Sequence, residues 1–232
     1  VERKQNNKES TATNKNTSLL ERNIMFKARC SSLHLLMTKP KSGTGLSESA
    51  KSMIKLSVIE DVYGRTEIKS KYLDKGLMLE DEAIKAVGLI TARQPKKHVG
   101  RLSNDWISGE CDFLSASCIE DTKCSWSIDT FPFFQEDAEK DVKKAGYDWQ
   151  GQGYMWLYDR PVHYVHFVLL PTPYELLGFN DSQEFHIDLV EKIPLKKRVK
   201  TVVIERDDKL HEQIIEKTLL AREYAAKLIL EL

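Results

Sequence analysis

Asp112, Asp121 and Lys123 are the residues whose types and spacing point to chemistry. Residues 106–114 and 118–124 read as consecutive strands, and each ends in side chains that an ordinary sheet core does not choose. Side chains alternate along a strand, so Ile119, Asp121 and Lys123 share one face while Glu120 and Thr122 take the other. An acid and a lysine then point together. If the two runs pair as a hairpin, Asp112 falls near Asp121. Two carboxylates beside one ammonium suit a hard divalent cation, with the lysine left for a phosphate oxygen. Taken alone, an Asp-X-Lys triplet is as a rule a hairpin with solvated charges, so the rest of the chain must decide.

A third acid lies on a helix expected over 70–89. Its stripe Leu73, Leu77, Glu80, Ile84, Val87 places a carboxylate in the middle of a core-facing row, and burying it unpaired is costly. Either Glu80 sits at the stripe's edge and reaches water, or it faces a cation beside Asp112 and Asp121. The hairpin motif favours the second. A further helix, expected over 147–158 despite Gly151 and Gly153, puts Tyr147, Gln150 and Tyr154 on one side. That side offers an amide and phenols to a neighbouring site, or else is an aromatic core face with Gln150 bonded internally.

The elements that position these residues follow from the pattern. Residues 1–18 are polar and have almost nothing to bury, which predicts a flexible arm, and 19–232 then form one domain. Ser31 and Ser32 are placed to cap a short helix beginning near Leu33, and Ser47 caps a helix running to about Tyr63. Short strands are expected over 99–102 and 196–205, and a buried strand over 162–170 between Pro161 and Pro171. His163 and His166 fall on opposite faces of that strand and make no ligand pair. Trp126 either packs in the core or stacks on a base. Asp207 caps a last helix to about Leu230, buried through Leu210, Ile214, Ile215, Thr218, Leu219, Tyr224, Leu228 and Ile229.

Composition sets the outer limits. With 232 residues and 41% hydrophobic content, the chain can bury one full core. Its 35 basic and 35 acidic side chains give a net charge of zero, which excludes a protein gripping nucleic acid with its whole surface and leaves room for a local basic groove. No run reaches the roughly 18 apolar residues of a membrane span, and the polar start lacks a signal peptide's apolar core, so a cytoplasmic protein without membrane contact is expected. Cys30, Cys111, Cys118 and Cys124 contain no C-x-x-C pair and read as free thiols.

The order Gly76-x-x-x-Glu80, Glu110-Cys-Asp112, Ile119-Glu-Asp121-Thr-Lys123-Cys-Ser and Tyr147-x-x-Gln150-x-Gln152-x-Tyr154-Met155 resembles the PD-(D/E)XK nucleases. It looks most like the branch of the phage lambda exonuclease and the YqaJ-like viral recombinases, and the likeness spans residues 29–170. Two departures stand out: Cys111 replaces the proline before the first aspartate, and Asp121 stands where the branch often has glutamate.

The resemblance implies an α/β fold, a three-layer α/β/α restriction-endonuclease-like core with a mixed sheet and flanking helices. It implies Mg²⁺-dependent hydrolysis of DNA, with Mn²⁺ as a substitute. Asp112, Asp121 and the Thr122 carbonyl would bind the metal, and Glu80 would act through a second metal or its water. Lys123 would orient or activate the attacking water, and Gln150 would hold the site or the scissile phosphate. Ser32 and Arg29 would capture a 5′ phosphate, and Tyr154 would meet the substrate. A 5′-to-3′ exonuclease on double-stranded DNA in phage-type recombination follows, together with a single-strand annealing protein as partner and a homotrimer by analogy. The same residues would serve an endonuclease or flap nuclease, and a DNA-binding or assembly protein with a decayed site is the alternative from another class. Iron–sulfur relatives place their cysteines outside the nuclease core, whereas three of the four here are threaded through it.

Overall fold

The computed structural model describes residues 25–64 and 70–232; the arm expected over 1–18 lies outside them. The elements run β1 (Ala28–Arg29), α1 (Leu33–Leu36), α2 (Glu48–Tyr63), α3 (Lys71–Thr91), β2 (Leu102–Ser103), β3 (Ile107–Gly109), β4 (Phe113–Leu114), β5 (Ile119–Cys124), α4 (Gln135–Ala145), α5 (Tyr147–Tyr158), β6 (Val162–Val168), α6 (Leu189–Lys192), β7 (Val199–Glu205) and α7 (Asp208–Glu231).

A mixed sheet in the order β4-β5-β6-β7 forms the centre. β5 and β6 are parallel, with Asp121 opposite Val165, and their neighbours β4 and β7 run antiparallel to them. Parallel neighbours need a long crossover, which α4 and α5 supply. On one face Ala138 and Val142 of α4 meet Val165, Phe167 and Val202. On the other, Leu79, Ala83, Ile84 and Val87 of α3 meet Phe113, Val168 and Leu170. This is the expected three-layer core with a mixed sheet. A second, small sheet in the order β1-β3-β2 joins α2, α5 and α7 in a further cluster around Ile54, Ile107, Met155 and Ile214. Among the described residues no helix is long and apolar enough to cross a membrane.

The caps at Ser47 and Asp207 form as expected: Ser47 Oγ accepts from the Ala50 N–H at 3.0 Å, and the Asp207 carboxylate accepts from the Lys209 N–H at 3.0 Å. Four expectations are corrected. The strand expected over 106–114 is split into β3 and β4, which lie in different sheets. At the break, the Asp112 backbone bonds to His98 N and Asp121 Oδ1 in place of a ladder partner. The strand expected over 196–205 starts at Val199, because Pro194 opens a helical turn over Leu195–Lys197.

The buried row of α3 is Lys75, Leu79, Ala83, Ala86 and Val87, while Leu73 and Leu77 are exposed. A lysine therefore occupies the core position that an apolar count assigns to leucine. Lys75 Nζ lies 2.8–2.9 Å from the carbonyls of Ser125, Trp126 and Leu170 and from Thr172 Oγ1, four acceptors sharing its three N–H groups, and Thr172 Oγ1 donates in turn to the Trp126 carbonyl. Lys75 ties the ends of β5 and β6 together. A similar correction applies to α7, where Leu219 is exposed and the buried row runs His211, Ile214, Thr218, Ala221, Ala225.

Candidate active site

β4 pairs with β5 only through Phe113 with Glu120 and Leu114 with Ile119. Past Glu120, β5 has no strand on that side, and the Asp112 side chain takes the vacant position. Its Oδ2 accepts from Thr122 N at 2.6 Å and from Thr122 Oγ1 at 2.9 Å, while the Asp112 N–H donates to Asp121 Oδ1 at 3.2 Å. The N–H and C=O of one strand residue leave by the same edge, so the Thr122 carbonyl opens toward Asp112 as well. Lys123 Nζ donates to Asp121 Oδ2 at 3.0 Å and lies 4.8 Å above the Tyr147 ring. The alternation of β5 thus brings Asp121 and Lys123 together, and the hairpin adds Asp112.

Three charges in so small a space shift one another. Burial, followed by the neighbouring Asp121 charge, pushes the Asp112 carboxyl up to about 6. Burial also works against Asp121, but Lys123 and His163 outweigh it and hold that carboxyl below its ordinary value. Lys123 loses hydration as well, and the two aspartates more than restore its charge, holding its pKa above that of an ordinary lysine.

A cleft of about 310 Å³ opens over this clasp, lined by Asp112, Thr122, Lys123, Cys124 and Tyr147 on one side and by Leu73, Gly76, Leu77 and Glu80 of α3 on the other. Glu80 is therefore in the site, at the edge of the buried stripe rather than within it. It does not join the aspartates as a third ligand of one cluster: among the described residues no three His, Cys, Asp or Glu side chains are grouped to hold a metal ion. Glu80 Oε2 instead accepts from Lys97 Nζ at 2.7 Å.

The other candidates divide. Gln150 is buried behind the clasp and donates from Nε2 to Tyr154 Oη at 2.9 Å. Tyr154 is only 4% exposed, a position from which it braces Gln150 and does not face the cleft. Arg29 is drawn to Glu60 at 2.7 Å, and Ser32 precedes α1 without the side-chain capping bond expected of it. Cys30, between them, is buried against Gly109 of β3 and Gly153 of α5, and burial, followed by the Asp121 charge, raises its thiol pKa. Trp126 packs edge-on against Tyr72 and His186. Lys97 and Lys75 carry no mark in the sequence: Lys97 is one of several cations in the basic stretch 93–98 and nothing there pairs it with Glu80.

The residues fit a small hard cation. Mg²⁺ is usually held by one or two carboxylates, with water and substrate phosphate completing its shell. Asp112 Oδ1 takes no hydrogen bond from any described residue, and the crowding that raises the Asp112 pKa is what a cation relieves.

No protein-family model matches the chain, and no curated protein matches it. Solved structures do. A phage-related exonuclease from Haemophilus somnus 129PT is 41% identical, with a TM-score of 0.86 over 91% of this chain and 99% of that one. An alkaline exonuclease from Laribacter hongkongensis is 17% identical, with a TM-score of 0.60 over 88% of this chain and 89% of that one, and it shares the fold. With two-fifths of its residues shared over nearly the whole length of the Haemophilus protein, the chain belongs to the PD-(D/E)XK nucleases, in the branch of the phage lambda exonuclease and the YqaJ-like viral recombinases.

Proposed function

We propose that this nuclease is an Mg²⁺-dependent exonuclease that degrades one strand of double-stranded DNA from its 5′ end. The observation that carries the reading is the clasp of Asp112, Asp121 and Lys123 under one open cleft. The 41% identity to a phage-related exonuclease supports the choice of an exonuclease.

In this reading Asp112, Asp121 and the Thr122 carbonyl hold Mg²⁺, with Mn²⁺ as a substitute, and Glu80 serves a second ion or its water. The bound ion supplies Lewis-acid polarisation of the phosphodiester and a water of lowered pKa. Lys123 turns from Asp121 toward the scissile phosphate, orients the attacking water and offsets the negative charge that grows on phosphorus-bound oxygen. Gln150, fixed by Tyr154, keeps the wall of the site in place. Asp121 stays anionic throughout. The segment from Arg29 to Ser32, packed on Gly109 and Gly153 through Cys30, is the proposed recognition point for a terminal 5′ phosphate; Arg29 must release Glu60 to serve it. The role that follows is resection of duplex ends in phage-type recombination, with a single-strand annealing protein taking the exposed strand and a homotrimer, as in the branch, as the assembly.

The test is degradation of end-labelled linear duplex, with and without a 5′ phosphate, beside covalently closed circular DNA, in Mg²⁺. Linear duplex shortening from the phosphorylated 5′ end, an intact circle and complete loss in Asp112→Ala are the expected results. Cutting of the circle would transfer the site to an endonuclease of the same superfamily. Intact DNA in every lane, from wild type and Asp112→Ala alike, would leave a DNA-binding protein.

A further inference from the structure

His163 is fully buried, and neither ring nitrogen has a hydrogen-bond partner among the described residues. Buried polar atoms are nearly always paired, and an unpaired one is a standing energetic cost that calls for a cause. The ring is boxed in by α5. A Cβ on Gly151 would lie 2.3 Å from His163 Nδ1, and the Tyr154 ring stands edge-on at 6.0 Å between centroids. Glycine at 151 is what gives the imidazole its room. His163 Nε2 faces Asp121 Oδ2 at 4.0 Å, about 1 Å beyond hydrogen-bond reach.

That oxygen already has a donor, Lys123 Nζ at 3.0 Å. The Asp121 carboxylate therefore stands between two donors on the same face of the sheet: Lys123 from β5, seated at the cleft, and His163 from β6, sealed behind it. Only one of them is bonded.

We propose that His163 is a positioning residue for Asp121, a reserve donor whose Nε2–H takes over Oδ2 when the Lys123 ammonium moves to the scissile phosphate. This rests on the metal and phosphate roles proposed above for Asp121 and Lys123. Without a replacement, the departure of Lys123 would leave a buried carboxylate oxygen unpaired and free to rotate at the moment its direction matters. A small advance of the imidazole holds it. The proton stays on nitrogen throughout, so the exchange is one of hydrogen bonds alone. The unsatisfied nitrogens of the resting protein are the cost of keeping the donor ready.

Leucine fills a similar volume without donors, and glutamine keeps a donor. In His163→Leu, melting of the metal-free protein is expected at or above the wild-type temperature, since two unpaired nitrogens leave the core. Its single-turnover rate on 5′-phosphorylated duplex is expected to fall roughly 10- to 100-fold, the usual effect of removing a group that orients a metal ligand. His163→Gln should recover part of that rate. A readout free of metal and DNA comes from Lys123→Met, which imitates the departed ammonium. Here His163 should protect the fold, so Lys123→Met with His163→Leu melts lower than the two single shifts predict when added. Additive melting shifts with a wild-type rate in His163→Leu would overturn the proposal and leave His163 as packing. So would equal slowing and equal loss of melting temperature in the Leu and Gln variants. Asp121→Asn separates the two levels: if it is inactive while His163→Leu is fully active, only the positioning role fails, and if Asp121→Asn itself cleaves at the wild-type rate, the reading of the site fails with it.

Discussion

Lys97 is paired with Glu80, Nζ to Oε2 at 2.7 Å, and lies 3.8 Å from Asp81. An ammonium thus holds the acid that is proposed to serve a second ion. Lys97 and the cation compete for one carboxylate, and Lys97→Met removes the competitor. Both partners are partly exposed, so the pair is worth at most about 1 kcal/mol. The Mg²⁺ concentration for half-maximal cleavage is then expected to fall about two- to five-fold. A Mg²⁺ titration of the initial rate measures it, and an unchanged or raised requirement would mean that Lys97 assists the ion instead.

Glu120 and Asp121 are adjacent acids with opposite duties. Glu120 is 2% exposed on the α3 face, where it accepts from both Arg93 terminal nitrogens at 2.6 Å and meets His166 Nε2 at 2.8 Å; His166 is fixed in turn by Thr201. Arg93 is 43% exposed and can turn to water, so Glu120→Ala loses these hydrogen bonds and leaves the buried His166 Nε2 without its partner; a loss of about 1–3 kcal/mol is expected, while the surviving folded fraction keeps its turnover. Asp121→Asn should show the reverse, a folded protein without cleavage. Urea unfolding beside single-turnover rates separates the two.

This adjacency explains what was legible in the sequence. The two-residue period of a strand settles that Glu120 and Asp121 diverge and that Lys123 follows Asp121, and no tertiary information is needed for it. The same holds for α5, whose bounds match the expected 147–158, and for the caps at Ser47 and Asp207, which depend on residues a few positions away. Contacts between distant segments were not legible. Lys75 looks like any helix lysine until the ends of β5 and β6 present four oxygens to it, and nothing near Arg29 in the sequence shows that α2 brings Glu60 alongside it. The apolar count placed Leu73 and Leu77 in the core because periodicity reports that a face is apolar, not what covers it. In α3 that face borders the cleft.

Lys75 gives a pH dependence. Burial lowers its pKa from the ordinary lysine value to about 8. Between pH 8 and about 10.4, the unfolded chain keeps a proton that the folded one has lost, so the unfolded state binds more protons and stability rises with pH across that window. The rise is bounded by roughly 3 kcal/mol, and the four oxygens around Nζ reduce it by favouring the ammonium. Lys75→Met takes the side-chain donor from the Ser125 and Leu170 carbonyls, while the Trp126 carbonyl keeps Thr172 Oγ1, and should be less stable than wild type at pH 7 by about 2 kcal/mol. The gap is expected to widen at pH 9.5, as read from urea midpoints at both values. A gap that stays constant would mean that the ammonium persists in the fold above pH 9.5.

Gln150 and Tyr154 act as one unit if the 2.9 Å bond between them is what aims the amide. Tyr154→Phe keeps the ring, its packing against Gly109 and the helix, and removes only the acceptor. The buried Gln150 amide then has a donor to satisfy and is free to choose another rotamer. A rate loss of about ten-fold is expected with little change in the Mg²⁺ requirement, on the scale of one misdirected hydrogen bond, roughly 1–1.5 kcal/mol. Gln150→Ala should be slower still, because it removes the aimed group and not merely its brace. The double variant should be no slower than Gln150→Ala, since Tyr154 has nothing left to hold. Multiplicative losses in the double variant would instead give Tyr154 a contact with the substrate of its own, despite its burial.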